Sequence, residues 1–216
     1  MAKSLLSLII AITLLLSSCT YISCGANPEL ALLMARDSIF QLRAETHTCS
    51  AFAIAPGRIL TAAHCKSTDI VLIDSKGREF TARVIKEDKA KDLLLLEAPT
   101  NAPALDIWND FWQGGLVPGT EIIALGYPGY YGSYTWEHGY VKEIREMPAF
   151  GEVVVSKDIS FPGLSGGAVI DIRRGKVVGM VVAVAEDVKY FNSYTHQHNS
   201  ISILVSYKEL SRFLAE

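Results

Sequence analysis

The sequence predicts an all-β protein of two packed antiparallel barrels. Short runs of apolar and β-branched residues recur along the chain, and turn-forming segments such as residues 75–77 and 173–175 separate them. A helical pattern is confined to residues 207–214, which predict a short amphipathic helix at the C-terminus. Residues 98–118 contain three prolines and are expected to connect the two barrels.

The predicted strands are short and bounded by turn residues, as in β-sandwiches and barrels. They are residues 38–42, 51–54, 57–60, 70–73, 79–85, 92–96, 121–125, 153–155 and 177–184. Residues 127–140 contain five tyrosines together with Trp136 and His138. We expect this stretch to be a long hairpin whose aromatic side chains pack on the barrel. A lid or a wall of a substrate groove is the alternative.

Length and charge limit the possible functions. The chain has 216 residues, enough for one domain of this class with a substantial core, and its net charge is −3. No basic face is apparent, so a nucleic-acid partner is not expected. The sequence gives no indication of oligomeric state.

The first 18 residues predict a signal peptide of the lipoprotein type. Lys3 provides a positive start, and residues 5–16 are apolar but too short to favour a stable membrane span. Residues 16–19, Leu-Ser-Ser-Cys, resemble a bacterial lipobox, in which Cys19 becomes the acylated first residue. Residues 19–37 would then form a tether to the membrane. Ordinary cleavage nearby, for instance after Ala26, is the alternative.

Two short motifs supply residues suited to nucleophilic hydrolysis. The motif TAAHC, residues 61–65, follows an apolar strand and presents His64 with little side-chain bulk around it. The motif GLSGG, residues 163–167, surrounds Ser165 with glycines that permit a sharp turn. In such a turn the N–H groups of Gly163 and Ser165 can converge on one point and form an oxyanion hole.

A histidine that acts as a base needs a partner that fixes its tautomer and stabilises the imidazolium. Asp92 is the best candidate, because it directly precedes the apolar run 93–96, which predicts a buried strand. A carboxylate at the mouth of such a strand could hold the N–H of His64. The rival carboxylates lie in charged or loop-like stretches and are Asp88, Asp106 and Asp110.

These three segments, in the order His, Asp, Ser, resemble the trypsin-like serine peptidases. The short spacing between them resembles the compact bacterial branch, including the HtrA-type protease domain. The likeness covers about residues 38–216, which we take as the protease domain. It implies two six-stranded barrels with the catalytic site in the cleft between them. It also implies that the chain cleaves protein or peptide substrates.

The resemblance assigns a role to each candidate residue. His64 is the general base, Asp92 its partner, Ser165 the nucleophile, and Gly163 and Ser165 the oxyanion donors. The pocket for the side chain that precedes the scissile bond would be lined by uncharged residues, which favours small or medium apolar side chains. Those residues are Ile159, Val182, Ala183 and Val184.

Two features distinguish this sequence from the peptidases that it resembles. In the digestive enzymes an aspartate precedes the nucleophilic serine and captures a new amino terminus, whereas this chain has Leu164 at that position. Activation through that ion pair is therefore not expected. The sequence resembles an HtrA catalytic unit without its PDZ module.

The resemblance further predicts a disulfide between Cys49 and Cys65, in keeping with an exported protein. Two buried free thiols are the alternative. Cys24 has no evident partner. We expect export to the bacterial cell envelope, with the protein lipid-anchored and facing the periplasm or the exterior.

No cofactor or metal is expected. His196 and His198 could share a strand face, but no nearby cysteine or carboxylate completes a ligand set. Two other functions stay open: a protease fold that binds peptides or proteins without cutting them, and an acyl-transfer enzyme that acts on esters or cell-wall links.

Overall fold

The structure is a computed structural model. It describes residues 32–33, 35–109, 115–129, 132–157, 159, 163–186 and 200–216, apart from the side chains of 184–186 and 200. The predicted signal peptide and the residues Cys19, Cys24, Asp110, His196 and His198 lie outside the described residues. No helix in the described ranges is long and apolar enough to cross a membrane.

The first barrel contains six antiparallel strands and is closed. They are β1 (Ile39–Arg43), β2 (Thr48–Ala55), β3 (Arg58–Ala62), β4 (Ile70–Ile73), β5 (Glu79–Asp88) and β6 (Leu93–Glu97). The order around the barrel is β1-β2-β3-β6-β5-β4. Closure leaves no unpaired edge strand.

The second barrel has the same construction. Its strands are β7 (Glu121–Gly126), β8 (Thr135–Met147), β9 (Gly151–Lys157), β10 (Ala168–Asp171), β11 (Lys176–Glu186) and β12 (Ser200–Ser206). Their order is β10-β11-β12-β9-β8-β7, and a helix, Tyr207–Ala215, follows β12. The predicted fold class is confirmed.

The predicted strands differ from the observed ones in detail. The run 70–73 matches β4, and most other predicted runs are shorter than the strands that contain them. The strands β10 and β12 were absent from the predicted strands, and β8 extends well beyond the hairpin expected at 127–140. Predicted strand 92–96 is wrong by one residue at its start, because Asp92 has φ of 58° and β6 begins at Leu93.

The two barrels share a continuous buried core. Ile123, Leu125 and Met180 of the second barrel belong to the same cluster as Phe40 and Leu60 of the first. A second cluster fills the second barrel. Burial of apolar area stabilises by roughly 25 cal/mol per Å². An apolar interface of this kind therefore fixes the position of one barrel on the other.

The connection between the barrels is anchored to the second one. Ile107 forms an isolated bridge with Val177. The N–H of Trp108 donates to the carbonyl of Val177 at 2.8 Å, and the N–H of Val177 donates to the backbone carbonyl of Asp106 at 2.8 Å. The indole of Trp108 is buried 6.2 Å from the ring of Tyr207 on the C-terminal helix. The connection thus packs against the barrel that it leads into.

Cys49 and Cys65 form a disulfide with a Cα–Cα distance of 6.1 Å, as predicted. Cys49 lies on β2, and Cys65 ends a 3₁₀ turn (Ala63–Cys65) that follows β3. Both cysteines are buried. The bond therefore ties the turn that carries His64 to the neighbouring strand.

We expect reduction of this disulfide to lower the free energy of unfolding by about 3 kcal/mol, because the cross-link restricts the unfolded chain. Urea denaturation with and without reductant measures this difference. The Cys49→Ala/Cys65→Ala variant is the control and should not respond to reductant. Equal stability of the oxidised and reduced chains would contradict the prediction.

Candidate active site

The pairing of β3 with β6 brings His64 next to Asp92. Ala62, at the end of β3, lies opposite Leu93, at the start of β6. One residue beyond each end of this pair, the N–H of Ala63 donates to the carbonyl of Asp92 at 3.1 Å. The register of β3 and β6 therefore sets the distance between the backbones of His64 and Asp92, independently of their side chains.

The carboxylate of Asp92 accepts two hydrogen bonds from His64. Its Oδ2 lies 2.6 Å from Nδ1 of the imidazole, and its Oδ1 accepts the backbone N–H at 2.8 Å. Because a carboxylate is only an acceptor, this contact directs the ring proton to Nδ1 and leaves Nε2 as the basic nitrogen. The side chain of Asp92 is 14% exposed and that of His64 is 45% exposed, so the imidazole faces the solvent.

The positive φ of Asp92 is part of this geometry. Aspartate is among the residue types that adopt the left-handed region most readily. The preceding turn is held by Asp88, whose Oδ1 accepts the N–H of Lys91 at 3.0 Å. Lys91 forms an ion pair of 2.7 Å with the buried Glu209 of the C-terminal helix, and this hydrogen bond raises the pKa of Lys91 above its ordinary value.

Two of the rival carboxylates have other partners. Asp88 caps the turn before Asp92, as described, and Asp106 forms an ion pair with Lys176. Asp110 lies outside the described residues. Among the described carboxylates, Asp92 is the one hydrogen-bonded to His64.

The turn that contains Ser165 requires its glycines. Gly163 and Gly166 have φ of 95° and 78°. A Cβ on Gly166 would lie 2.2 Å from Oγ1 of Thr61, and a Cβ on Gly163 would lie 2.2 Å from the backbone nitrogen of Gly129. The turn is closed by a hydrogen bond of 2.7 Å from Gly167 N–H to the carbonyl of Leu164. Glycine therefore meets both a conformational and a steric requirement.

The first barrel contacts this turn directly. The N–H of Ser50 on β2 donates to the carbonyl of Ser165 at 2.8 Å, and Sγ of Cys65 lies 3.9 Å from the same oxygen. Ser165 is therefore held beside the disulfide and beside the residue that follows His64. Sequence analysis did not single out Ser50, because one serine inside an apolar strand carries no distinguishing pattern.

The residues expected in the specificity pocket lie in different environments. Ile159 has no exposed surface and packs in the core of the second barrel. Val182 on β11 is buried and Ala183 is half-buried, whereas the side chain of Val184 lies outside the described residues. Their roles in substrate binding stay predictions. Leu164 is buried in the core of the second barrel.

The sulfur atoms of Cys49 and Cys65 and a ring nitrogen of His64 lie within 4.8 Å of one another. Because the two cysteines are bonded to each other, neither offers a thiolate to a metal ion. The expectation that the protein needs no cofactor stays a prediction.

The sequence profile of the trypsin-like peptidase domain matches residues 49–180, more than half of the chain. The chain belongs to this family. The match includes the segments that carry His64 and Asp92 and the turn around Ser165. A comparison with curated protein sequences found no match.

Solved proteases, among them HtrA-type ones, have a similar fold. The Rv3671c protease, solved in an inactive form, is 22% identical, with a TM-score of 0.72 over 90% of this chain and 95% of that one. Its active form, from M. tuberculosis, is 21% identical, with a TM-score of 0.72 over 90% and 86%. The HtrA-type protease AlgW with a tripeptide is 22% identical, with a TM-score of 0.74 over 88% of this chain and 62% of that one.

We expect Gly166→Ala to destabilise the protein far more than Gly77→Ala. The two glycines have nearly equal φ, 78° and 75°, but a Cβ at Gly77 meets no atom within 4 Å. Gly77→Ala should cost about 1 kcal/mol of backbone strain. Gly166→Ala should cost at least about 2 kcal/mol more, because β3 must also move. Urea denaturation of both variants measures the difference, and equal losses would refute the steric requirement.

Proposed function

We propose that this trypsin-like chain is a serine endopeptidase that uses Ser165, His64 and Asp92. The observation that carries the proposal is the double hydrogen bond between Asp92 and His64, next to Cys65, whose sulfur lies beside the glycine turn of Ser165. A carboxylate bound to Nδ1 prepares the imidazole to accept a proton at Nε2. Membership of the peptidase family supports the same chemistry.

In the proposed mechanism Oγ of Ser165 attacks the carbonyl carbon of a peptide bond, and Nε2 of His64 takes the hydroxyl proton. Asp92 stabilises the imidazolium that results, and the N–H groups of Gly163 and Ser165 bind the oxyanion of the tetrahedral intermediate. His64 then gives its proton to the leaving amine, which departs and leaves an acyl-enzyme. Water attacks the acyl group with His64 again as base, releasing the acid and restoring Ser165.

A peptide or protein is the substrate that the comparisons favour, because the related HtrA-type protease AlgW was solved with a tripeptide and with a decapeptide. The buried Val182 and half-buried Ala183 add no charge to the expected pocket. We therefore propose cleavage after small or medium apolar residues.

The first experiment is labelling of the folded, oxidised protein with a fluorescent fluorophosphonate. Wild type should be labelled, whereas Ser165→Ala and His64→Ala should not. Asp92→Asn should label up to about 10⁴-fold more slowly, since an amide leaves the imidazole in the wrong tautomer. Ser156→Ala is the matched control, because Ser156 is a buried serine on β9 whose hydroxyl has no hydrogen-bond partner among the described residues.

Each outcome of this experiment has a definite meaning. Labelling that depends on Ser165 and His64 but not on Ser156 supports an assembled nucleophile, and a peptide library then separates peptide cleavage from ester or cell-wall chemistry. A folded wild type that is not labelled would contradict the proposal. That result would favour a protease fold that binds peptides or proteins without cutting them.

We also propose that the chain is exported and anchored to the envelope through a lipid on Cys19. The Cys49–Cys65 disulfide supports residence in an oxidising compartment.

The expected result is that the mature protein begins at Cys19, carries a diacylglyceryl group and sediments with membranes. Mass spectrometry of the N-terminal peptide and fractionation of cells measure these properties. Cys19→Ala should abolish acylation, whereas Cys24→Ala is the control and should not. A mature chain that begins after Ala26 would contradict the proposal.

A further inference from the structure

Ser50 contacts both residues assigned to the oxyanion hole. Its Oγ donates to the carbonyl of Gly163 at 2.8 Å, and its N–H donates to the carbonyl of Ser165 at 2.8 Å. We propose that Ser50 is a positioning residue that sets the direction of both oxyanion donors. The proposal rests on the function proposed above, because it concerns the same site.

The hydroxyl of Ser50 connects three parts of the molecule. Besides donating to Gly163, its Oγ accepts the N–H of Tyr127 at 2.9 Å, in the loop that follows β7. The same loop approaches Gly163 closely at Gly129. Ser50 is fully buried, so water does not compete for these hydrogen bonds. One side chain of the first barrel thus holds both the loop and the turn of the second.

Gly163 is where such support has the largest effect. Its φ of 95° is accessible because glycine has no Cβ, and the same freedom allows the neighbouring peptide groups to rotate. An oxyanion hole works only if its donors point at the developing charge before the reaction begins. The hydrogen bond from Ser50 to the Gly163 carbonyl holds the peptide group that follows the Gly163 N–H, and the bond to the Ser165 carbonyl holds the peptide group that follows the Ser165 N–H. Each bond therefore restricts ψ of a donor residue, and it limits the direction of that residue's N–H through the Cα that joins the two peptide groups.

Ser50→Ala removes the hydroxyl and keeps the backbone N–H, so it tests the side chain alone. Thr61→Ala is the matched control, because it removes a hydroxyl and places no larger atom against Gly166. Thr61 is fully buried on β3, and its Oγ1 donates to the carbonyl of Ser50 at 2.8 Å. It therefore loses one buried hydrogen bond in the same neighbourhood, while the bonds from Ser50 to Gly163 and Ser165 remain.

The first readout is fluorophosphonate labelling, resolved by a concentration series into an inhibitor constant KI and a maximal rate kinact. For Ser50→Ala we expect kinact to fall by about tenfold to a hundredfold with KI unchanged. Loss of a whole oxyanion donor costs about 10²–10³-fold, and a misdirected donor costs less. For Thr61→Ala we expect kinact within about threefold of wild type. A merely structural role would affect the two variants alike.

The second readout does not depend on activity. Amide hydrogen exchange of the peptide that covers residues 163–167 should be faster in Ser50→Ala than in wild type and unchanged in Thr61→Ala. Equal exchange in Ser50→Ala and wild type, or equal acceleration in both variants, would overturn the proposal. If wild type is not labelled, the proposed peptidase function fails, and hydrogen exchange still decides the role of Ser50.

A second substitution covers the case in which Ser50→Ala does not fold. Ser50→Thr keeps the hydroxyl but adds a methyl group to a crowded position, since a Cβ on Gly126 would lie 3.0 Å from Cβ of Ser50. Retention of kinact within about threefold of wild type supports the positioning role of the hydroxyl. A larger fall of kinact in folded Ser50→Thr, with hydrogen exchange of residues 163–167 still at the wild-type rate, would overturn it.

Discussion

The site depends on how the two barrels dock, because His64 and Asp92 belong to the first and Ser165 to the second. The hydrogen bond of 2.8 Å from Ser50 N–H to the Ser165 carbonyl crosses this interface. A displacement of about 1 Å between reacting groups can cost 10²-fold in rate. The apolar core shared by the barrels supplies the area that resists such a displacement, and the directional bond at Ser50 selects one relative position.

The C-terminal helix provides a second connection, behind the site. Its buried Glu209 pairs with Lys91, the residue before Asp92, and the carbonyl of Phe213 accepts a hydrogen bond from Lys86 on β5. A buried ion pair adds little net stability, because desolvation offsets most of its attraction. The Lys91–Glu209 pair forms only when the two side chains are correctly placed, however. The Lys91–Glu209 pair therefore acts mainly to fix the turn that holds Asp92 at positive φ.

The sequence predicted those parts of the fold and site that depend on residue type. Glycine on both sides of Ser165 indicated a turn, and the acidic residue before an apolar run identified Asp92 as the partner of His64. Residue type does not report backbone angles, so the positive φ of Asp92 and its position outside β6 were missed. The contacts of Ser50 with Gly163 and Ser165 were also missed, because they join residues more than 100 positions apart.

The turn at Ser165 is held by uncharged groups. Leu164 is buried in the second barrel at the position where the digestive enzymes have an aspartate. Its carbonyl accepts the N–H of Gly167, and Ser50 binds the turn from the first barrel. The loop after β7 is itself held by the segment before β1, since the hydroxyl of Tyr134 donates to the carbonyl of Leu32 at 3.1 Å. None of these contacts involves a charged group. Support for this turn therefore comes from packing and from hydrogen bonds to its backbone, one of them from the hydroxyl of Ser50.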